Sequence, residues 1–259
     1  MGSDSVVTGP SGASAPIAAA RAGAAAQRDR PEGRQRLVLA LDVDDMVLAN
    51  RWASRLSPWF GVAKVGLELF SAAGPAAIGA LVDGGYQVFV DLKIGDIPTT
   101  TRKAARVLGA LGASYLTVHI SAGPATLEAA VEGLAEGAER AGLEEPVTLG
   151  VTVLTSETDA PAELLRARVL DAQASGCRGV VCAAPDLGLV RQVAPELLTV
   201  VPGIRLPGAA RHDHGRSATP AEALSAGADL LVIGRAVTEA LSPEEAAAGI
   251  LEGTGPASP

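Results

Sequence analysis

A chain of 259 residues, 48% apolar and 19% charged, is long enough to bury a full-sized core as one domain. Its formal net charge of -8 and pI near 5.0 come without the basic runs of a nucleic-acid or anionic-membrane binder. No apolar run approaches the roughly 20 residues needed to cross a bilayer.

Residues 1–34 are rich in Ala, Gly, Ser and Arg, lack apolar periodicity and are broken by Pro10, Pro16 and Pro31, the composition of a disordered tail. Asp4 near Met1 and Arg21 among the alanines argue against a signal peptide. From Arg36 onward, short β-rich apolar runs alternate with longer segments at helical spacing. The runs are Leu37 to Leu41, Val62 to Val65, Gln87 to Val90, Tyr115 to Val118, Val147 to Val151, Gly179 to Cys182, Leu197 to Val201 and Leu230 to Ile233. Such runs predict parallel strands buried on both faces. Eight strand–helix rounds predict a single-domain α/β protein, a (β/α)8 TIM barrel over residues 35–252, with a short tail at 253–259. A doubly wound sheet is the alternative. Cys177 and Cys182 are too few for a disulfide framework and are expected to be buried, inert thiols of a cytoplasmic protein.

Polar residues fall at or just past the strand ends, where a barrel of this kind builds its active site. They are Asp42, Lys64 with Gly66, Asp91 with Lys93, His119, Thr152 with Thr155, Pro202 with Arg205, and Gly234 with Arg235. Each has a plainer reading. Asp42 suits a helix N-cap, as do Asp44 and Asp45 after it. His119 suits a hydrogen-bonded structural histidine, Gly234-Arg235 a helix start, and Asp91 with Lys93 a structural ion pair. Their conjunction on one rim is what favours a site.

The densest cluster is Phe89-Val90-Asp91-Leu92-Lys93-Ile94-Gly95-Asp96-Ile97-Pro98. Side chains at i and i+2 of a strand share a face, so Asp91 and Lys93 are expected to project together, with Asp96 on the turn beyond. An ammonium held between carboxylates is suited to donating a proton or stabilising a carbanion. The glycine-bearing loops Pro202-Gly203-Ile204-Arg205 and Ile233-Gly234-Arg235 follow strands 7 and 8, where barrels often cradle a phosphate. A small phosphorylated substrate is expected.

These segments, with Leu39-Ala40-Leu41-Asp42, Lys64-Val65-Gly66-Leu67-Glu68-Leu69-Phe70, Val118-His119 and Val151-Thr152-Val153-Leu154-Thr155-Ser156, stand in an order that resembles the orotidine 5'-monophosphate decarboxylase family. The resemblance spans about residues 36 to 250, and D-x-K-x-x-D-I-P is its most specific element. It implies decarboxylation of orotidine 5'-monophosphate to uridine 5'-monophosphate in pyrimidine synthesis, with no cofactor and no metal. It further implies that Asp42 and Lys64 meet the ribose, and that Lys64, Asp91, Lys93 and Asp96 form an alternating charged network. Lys93 would protonate C6, and Asp91 would lie beside the substrate carboxylate. Thr155 and Ser156 would meet the pyrimidine, and Pro202, Gly234 and Arg235 the phosphate. A homodimer is implied, in which Asp96, Ile97 and Thr100 serve the partner's site.

The chain departs from the family pattern at Gly95 and Thr99, and more consequentially at His214, where D-Q-x-R has Gln. In the family that glutamine bridges phosphate and pyrimidine. An imidazole does not offer a donor and an acceptor on one planar amide. A decarboxylase with a weakened clamp and a paralogue accepting a modified nucleotide both fit. Two rivals share the scaffold. One is the metal-dependent 3-keto-gulonate 6-phosphate decarboxylase and hexulose-phosphate synthase group, which has a metal-binding Glu where this chain has Lys64. The other is a non-catalytic nucleotide-binding barrel.

Overall fold

The computed structural model describes residues 32–153, 160–206 and 217–254. Eight strands close into a barrel in sequence order, all neighbours parallel: β1 (Leu37–Ala40), β2 (Val62–Gly66), β3 (Gln87–Ile94), β4 (Ala113–His119), β5 (Val147–Val151), β6 (Gly179–Val181), β7 (Leu198–Val201) and β8 (Leu230–Ile233). Leu37, Val38 and Leu39 of β1 pair with Leu231, Val232 and Ile233 of β8, which completes the circle. The predicted (β/α)8 barrel is therefore the fold, and the doubly wound sheet is excluded.

A short helix, α1 (Glu32–Gln35), precedes β1. Following the strands in turn come α2 (Met46–Leu56), α3 (Leu67–Ala73) with α4 (Pro75–Asp83), α5 (Pro98–Ala110), α6 (Pro124–Arg140), α7 (Ala162–Ala174), α8 (Leu187–Val193), α9 (Pro220–Ser225), and finally α10 (Arg235–Thr238) with α11 (Pro243–Glu252). None of the described helices is long and apolar enough to cross a membrane. Arg34 and Thr254, which composition assigned to the tails, are buried, and the Arg34 guanidinium donates to the Phe60 carbonyl at 2.7 Å. Residues 1–31 and 255–259 lie outside the described residues.

Strand side chains divide by parity. One set packs outward against the helices, Leu37, Leu39, Val88, Val90, Leu116 and Leu231 among them. The other fills the barrel, with Val38, Ala40, Val62, Phe89, Leu149, Val200 and Val232 at its centre and Tyr115 packed against them. Phe89 and Tyr115 meet edge to face at 6.2 Å. Since side chains alternate along a strand, the position two beyond each interior residue is interior too, one layer nearer the rim. That layer contains Asp42, Lys64, Asp91 and Thr117, two steps past Ala40, Val62, Phe89 and Tyr115.

Helices α5 and α6 approach each other at backbone distance. A Cβ on Gly133 would lie 2.3 Å from the Arg102 carbonyl oxygen, and one on Gly137 only 2.0 Å from that of Arg106. These glycines carry no side chain because there is no room for one. Gly137→Ala should lower stability by about 1–3 kcal/mol through overpacking, outweighing the roughly 1 kcal/mol that alanine gains in helix propensity. Denaturant unfolding of the variant beside the parent measures this.

Candidate active site

The rim cleft lies over the C-terminal strand ends and is lined by Asp42, Lys64, Asp91, Lys93, Pro202, Gly203, Arg205, Gly234 and Arg235, with Val151, Val153, Val181 and Cys182 on its apolar side. Its charged lining comprises Lys64, Lys93, Arg205 and Arg235 against Asp42 and Asp91, an excess of cations in a chain whose net charge is -8. An anionic small molecule fits that local balance.

At the centre is Asp91. Lys93 Nζ donates to both of its oxygens at 2.9 Å, Lys64 Nζ lies 3.7 Å from Oδ2, and the Thr117 hydroxyl donates to Oδ1 at 3.0 Å. Lys64 also donates to Asp42 Oδ1 at 2.8 Å, so Asp42, Lys64, Asp91 and Lys93 form one alternating chain of charge. Burial pushes the Asp91 pKa up, but the charges of Lys64 and Lys93 and the hydrogen bonds from Lys93 and Thr117 prevail, and it ends below the usual carboxylate value. Asp42 is thus not a helix cap. Asp45 takes that role for α2, accepting from the Val47 and Leu48 amides.

The Asp91–Lys93 contact does not arise from a regular strand, as the i, i+2 rule expected. Val90 pairs with Leu116 and Ile94 with Val118, so four steps along β3 meet only two along β4. Within that bulge Lys93 has φ 48°, alone among the described non-glycine residues in having a positive φ. The bulge turns Lys93 back over Asp91. It also carries β3 past the predicted end at Val90 to Ile94.

Beyond the bulge, Asp96, Ile97 and Thr100 are exposed and do not line the cleft of their own chain. Ile97 keeps 66% of its surface in solvent. Asp96 Oδ1 accepts from the Ile97 amide at 2.6 Å, and its carbonyl accepts from the hydroxyls of Thr101 and Thr126, both at 3.1 Å. Asp96 is held firmly while facing outward.

At the other pole, Pro202 and Gly203 follow β7, Gly203 at φ 77°. An isolated bridge joins Ile204 to Ala218, and the Arg205 amide donates to the Ala218 carbonyl at 3.0 Å, tying the two described ends of the β7–α9 connection. Gly234 caps α10, where a Cβ would lie 3.4 Å from Ala40 Cβ. Thr155, Ser156 and His214 lie outside the described residues.

Some expectations need correction. Thr152 is buried, and both its amide and its hydroxyl donate to the Val181 carbonyl, at 3.2 and 2.9 Å, so it ties β5 to β6 and does not line the cleft. Both cysteines are buried, as expected; Cys182 lies in the wall of the cleft, and burial pushes the Cys177 thiol up to about 12. Arg205, noticed at its strand end but not assigned to the site, lines it as well. Thr117 was missed altogether. Its only sequence signal was its parity with Tyr115 on an apolar strand.

Comparison with known proteins agrees with this geometry. The family model described as "Orotidine 5'-phosphate decarboxylase / HUMPS family" matches residues 35–250. The orotidine 5'-phosphate decarboxylase of Moorella thermoacetica is 41% identical over 234 residues, covering 85% of this chain and 92% of that protein. The one from an Anaeromyxobacter species is 42% identical over 230 residues, covering 85% and 98%. Among solved structures, orotidine 5'-phosphate decarboxylase from Lactobacillus acidophilus superimposes with a TM-score of 0.75 at 33% identity, covering 86% of this chain and all of that one.

A depressed carboxylate contributes stability above its unfolded pKa, near 4, and that contribution is lost as pH falls through the folded value. Replacing Lys64 by Met removes a charge that lowers the Asp91 pKa, so the folded value rises. Acid unfolding of Lys64→Met should then begin at higher pH than in the parent. Circular dichroism across pH 2–7 checks this.

Proposed function

The chain belongs to the orotidine 5'-phosphate decarboxylase / HUMPS family, and we propose from its cleft how it carries out the decarboxylation of orotidine 5'-phosphate. It is an enzyme, and its general reaction is conversion of orotidine 5'-phosphate to uridine 5'-phosphate. The observation that carries the finer reading is the chain of Asp42, Lys64, Asp91 and Lys93, in which Lys93 Nζ is 2.9 Å from both Asp91 oxygens.

The phosphate binds beside Arg235, Gly234 and Pro202, with Arg205 a further guanidinium on the same side. Asp42 and Lys64 take the ribose hydroxyls. This leaves the pyrimidine near Asp91 and Lys93, over the apolar wall of Val151, Val153 and Val181. The substrate carboxylate then faces Asp91, an ionised group of the same sign, and loses that repulsion as carbon dioxide leaves. The electron pair left on C6 is stabilised by the Lys93 ammonium, which transfers a proton to that carbon. The bond from C6 to the carboxyl carbon breaks, and the C6–H bond forms. No redox partner is needed. Thr155 and Ser156 complete the pyrimidine contacts in this reading, and His214 stands where the phosphate and base are bridged.

Lys64 bears on the metal-dependent alternative within the family. Its ammonium lies 2.8 Å from Asp42 and 3.7 Å from Asp91, between the two carboxylates of the cleft, and would repel a divalent cation brought to them.

We further propose a homodimer in which Asp96, Ile97 and Thr100 complete the partner's site. Their exposure, the apolar surface of Ile97 and their absence from their own chain's cleft support that arrangement. Two buried threonines, Thr101 and Thr126, hold the Asp96 carbonyl and so fix the backbone from which its carboxylate projects.

Lys93→Ala should reduce turnover by about 10²–10⁴-fold, the usual contribution of a general acid, followed as loss of absorbance when orotidine 5'-phosphate is consumed. Binding of substrate by the parent without turnover would sink the mechanism. Mixed Lys93→Ala and Asp96→Ala chains should regain activity through hybrid dimers with one intact site. No recovery despite demonstrated chain exchange would refute the shared site.

A further inference from the structure

We infer that Thr117 is a positioning residue for the decarboxylation, its hydroxyl fixing the bulged backbone at Lys93 and the Asp91 carboxylate in one geometry. This rests on the proposed roles of Asp91 and Lys93. Three observations carry it. Thr117 is completely buried, on the barrel-interior parity of β4. Its Oγ1 accepts from the Lys93 amide at 2.9 Å and donates to Asp91 Oδ1 at 3.0 Å. Both contacts fall where the β3–β4 ladder breaks, between Val90 and Ile94.

The direction of these bonds is fixed by chemistry. A backbone amide can only donate, so the hydroxyl must accept there, and its single proton is left for the carboxylate. The bulge removes the regular ladder at Lys93, and the hydroxyl supplies an acceptor in its place. A left-handed backbone is disfavoured at a residue with a Cβ and persists only where its surroundings over-determine it. Thr117 is the side chain that does so from across the ladder. Through its other bond it orients Oδ1, so the backbone that aims Lys93 and the carboxylate that receives its ammonium share one anchor.

A valine of the same shape would fill the space and still lose the function. A serine, lacking only the methyl, would keep it. Thr117→Ala and Thr117→Ser both sacrifice that methyl, so packing losses cancel between them and the hydroxyl alone distinguishes them. Thr117→Ala should lower kcat for orotidine 5'-phosphate by about tenfold or more with KM within about threefold, as expected for misplacement of reacting groups. Thr117→Ser should stay within about threefold of the parent in both. The Lys93 amide proton should shift upfield in labelled Thr117→Ala and not in Thr117→Ser, a readout that needs no substrate. Equal turnover of the two variants, or an unmoved Lys93 amide in Thr117→Ala, overturns the inference. A parent chain that does not consume orotidine 5'-phosphate would sink the functional reading instead, and the amide shift would still decide whether Thr117 anchors the bulge.

Discussion

The rim is organised around a carboxylate sunk between two ammonium groups at a strand end. Taking Asp91 out of water costs several kcal/mol on its own, and removing one partner would leave a buried, uncompensated charge. Lys64, Lys93 and Thr117 offset that cost together, reaching it from β2, from its own strand and from β4. Lys64 passes the connection on to Asp42, just past β1. Four successive strand ends are thereby tied into one polar network, and its geometry is only as good as the register of the sheet beneath. Closure of β1 on β8 fixes that register, because a slip of one residue would turn the whole interior set outward.

The same constraint explains where the proposed site sits in the molecule. The barrel is filled by apolar layers up to Phe89 and Tyr115, and the next layer of the same parity is charged. Ions held above a packed apolar floor are poorly screened, so a like charge brought against Asp91 is felt strongly and an anion near Lys93 is stabilised strongly. The bulge in β3 completes the arrangement. A regular pleat would leave Lys93 alongside Asp91, whereas φ 48° folds it back to contact both oxygens.

Much of this was legible from the chain. Parallel strands buried on both faces are continuous apolar runs, so all eight announced themselves, and the polar residues ending them marked the rim. Asp42, Lys64, Asp91, Lys93, Pro202, Gly234 and Arg235 do line one cleft. The bulge was not legible, because it depends on how β3 pairs with a strand some twenty residues away, and nothing in Asp91-Leu92-Lys93 forces a positive φ. Thr117 was hidden for a related reason: a threonine in an apolar strand looks like β-propensity until its partner across the ladder is known. Thr152 misled in the opposite sense. It ends a strand as the site residues do, but its parity turns it toward β6 and not into the barrel.

The turn beyond Lys93 is built differently from the cleft, being held from the side by helix packing. Glycines at 133 and 137 let α6 lie against the backbone of α5, and Thr126 at the start of α6 reaches back to the Asp96 carbonyl that precedes α5. The two helices act as one strut bearing the exposed Asp96 and Ile97 at its tip. Such rigidity fits the proposed sharing of Asp96 between subunits, in which its carboxylate would reach the partner's cleft from a backbone already in place. In that proposal, an Asp96 fixed in the free chain would also lower the ordering cost of association. The physical division is then between a charge network fixed from below by sheet register and a single outward charge fixed from the side by helix packing.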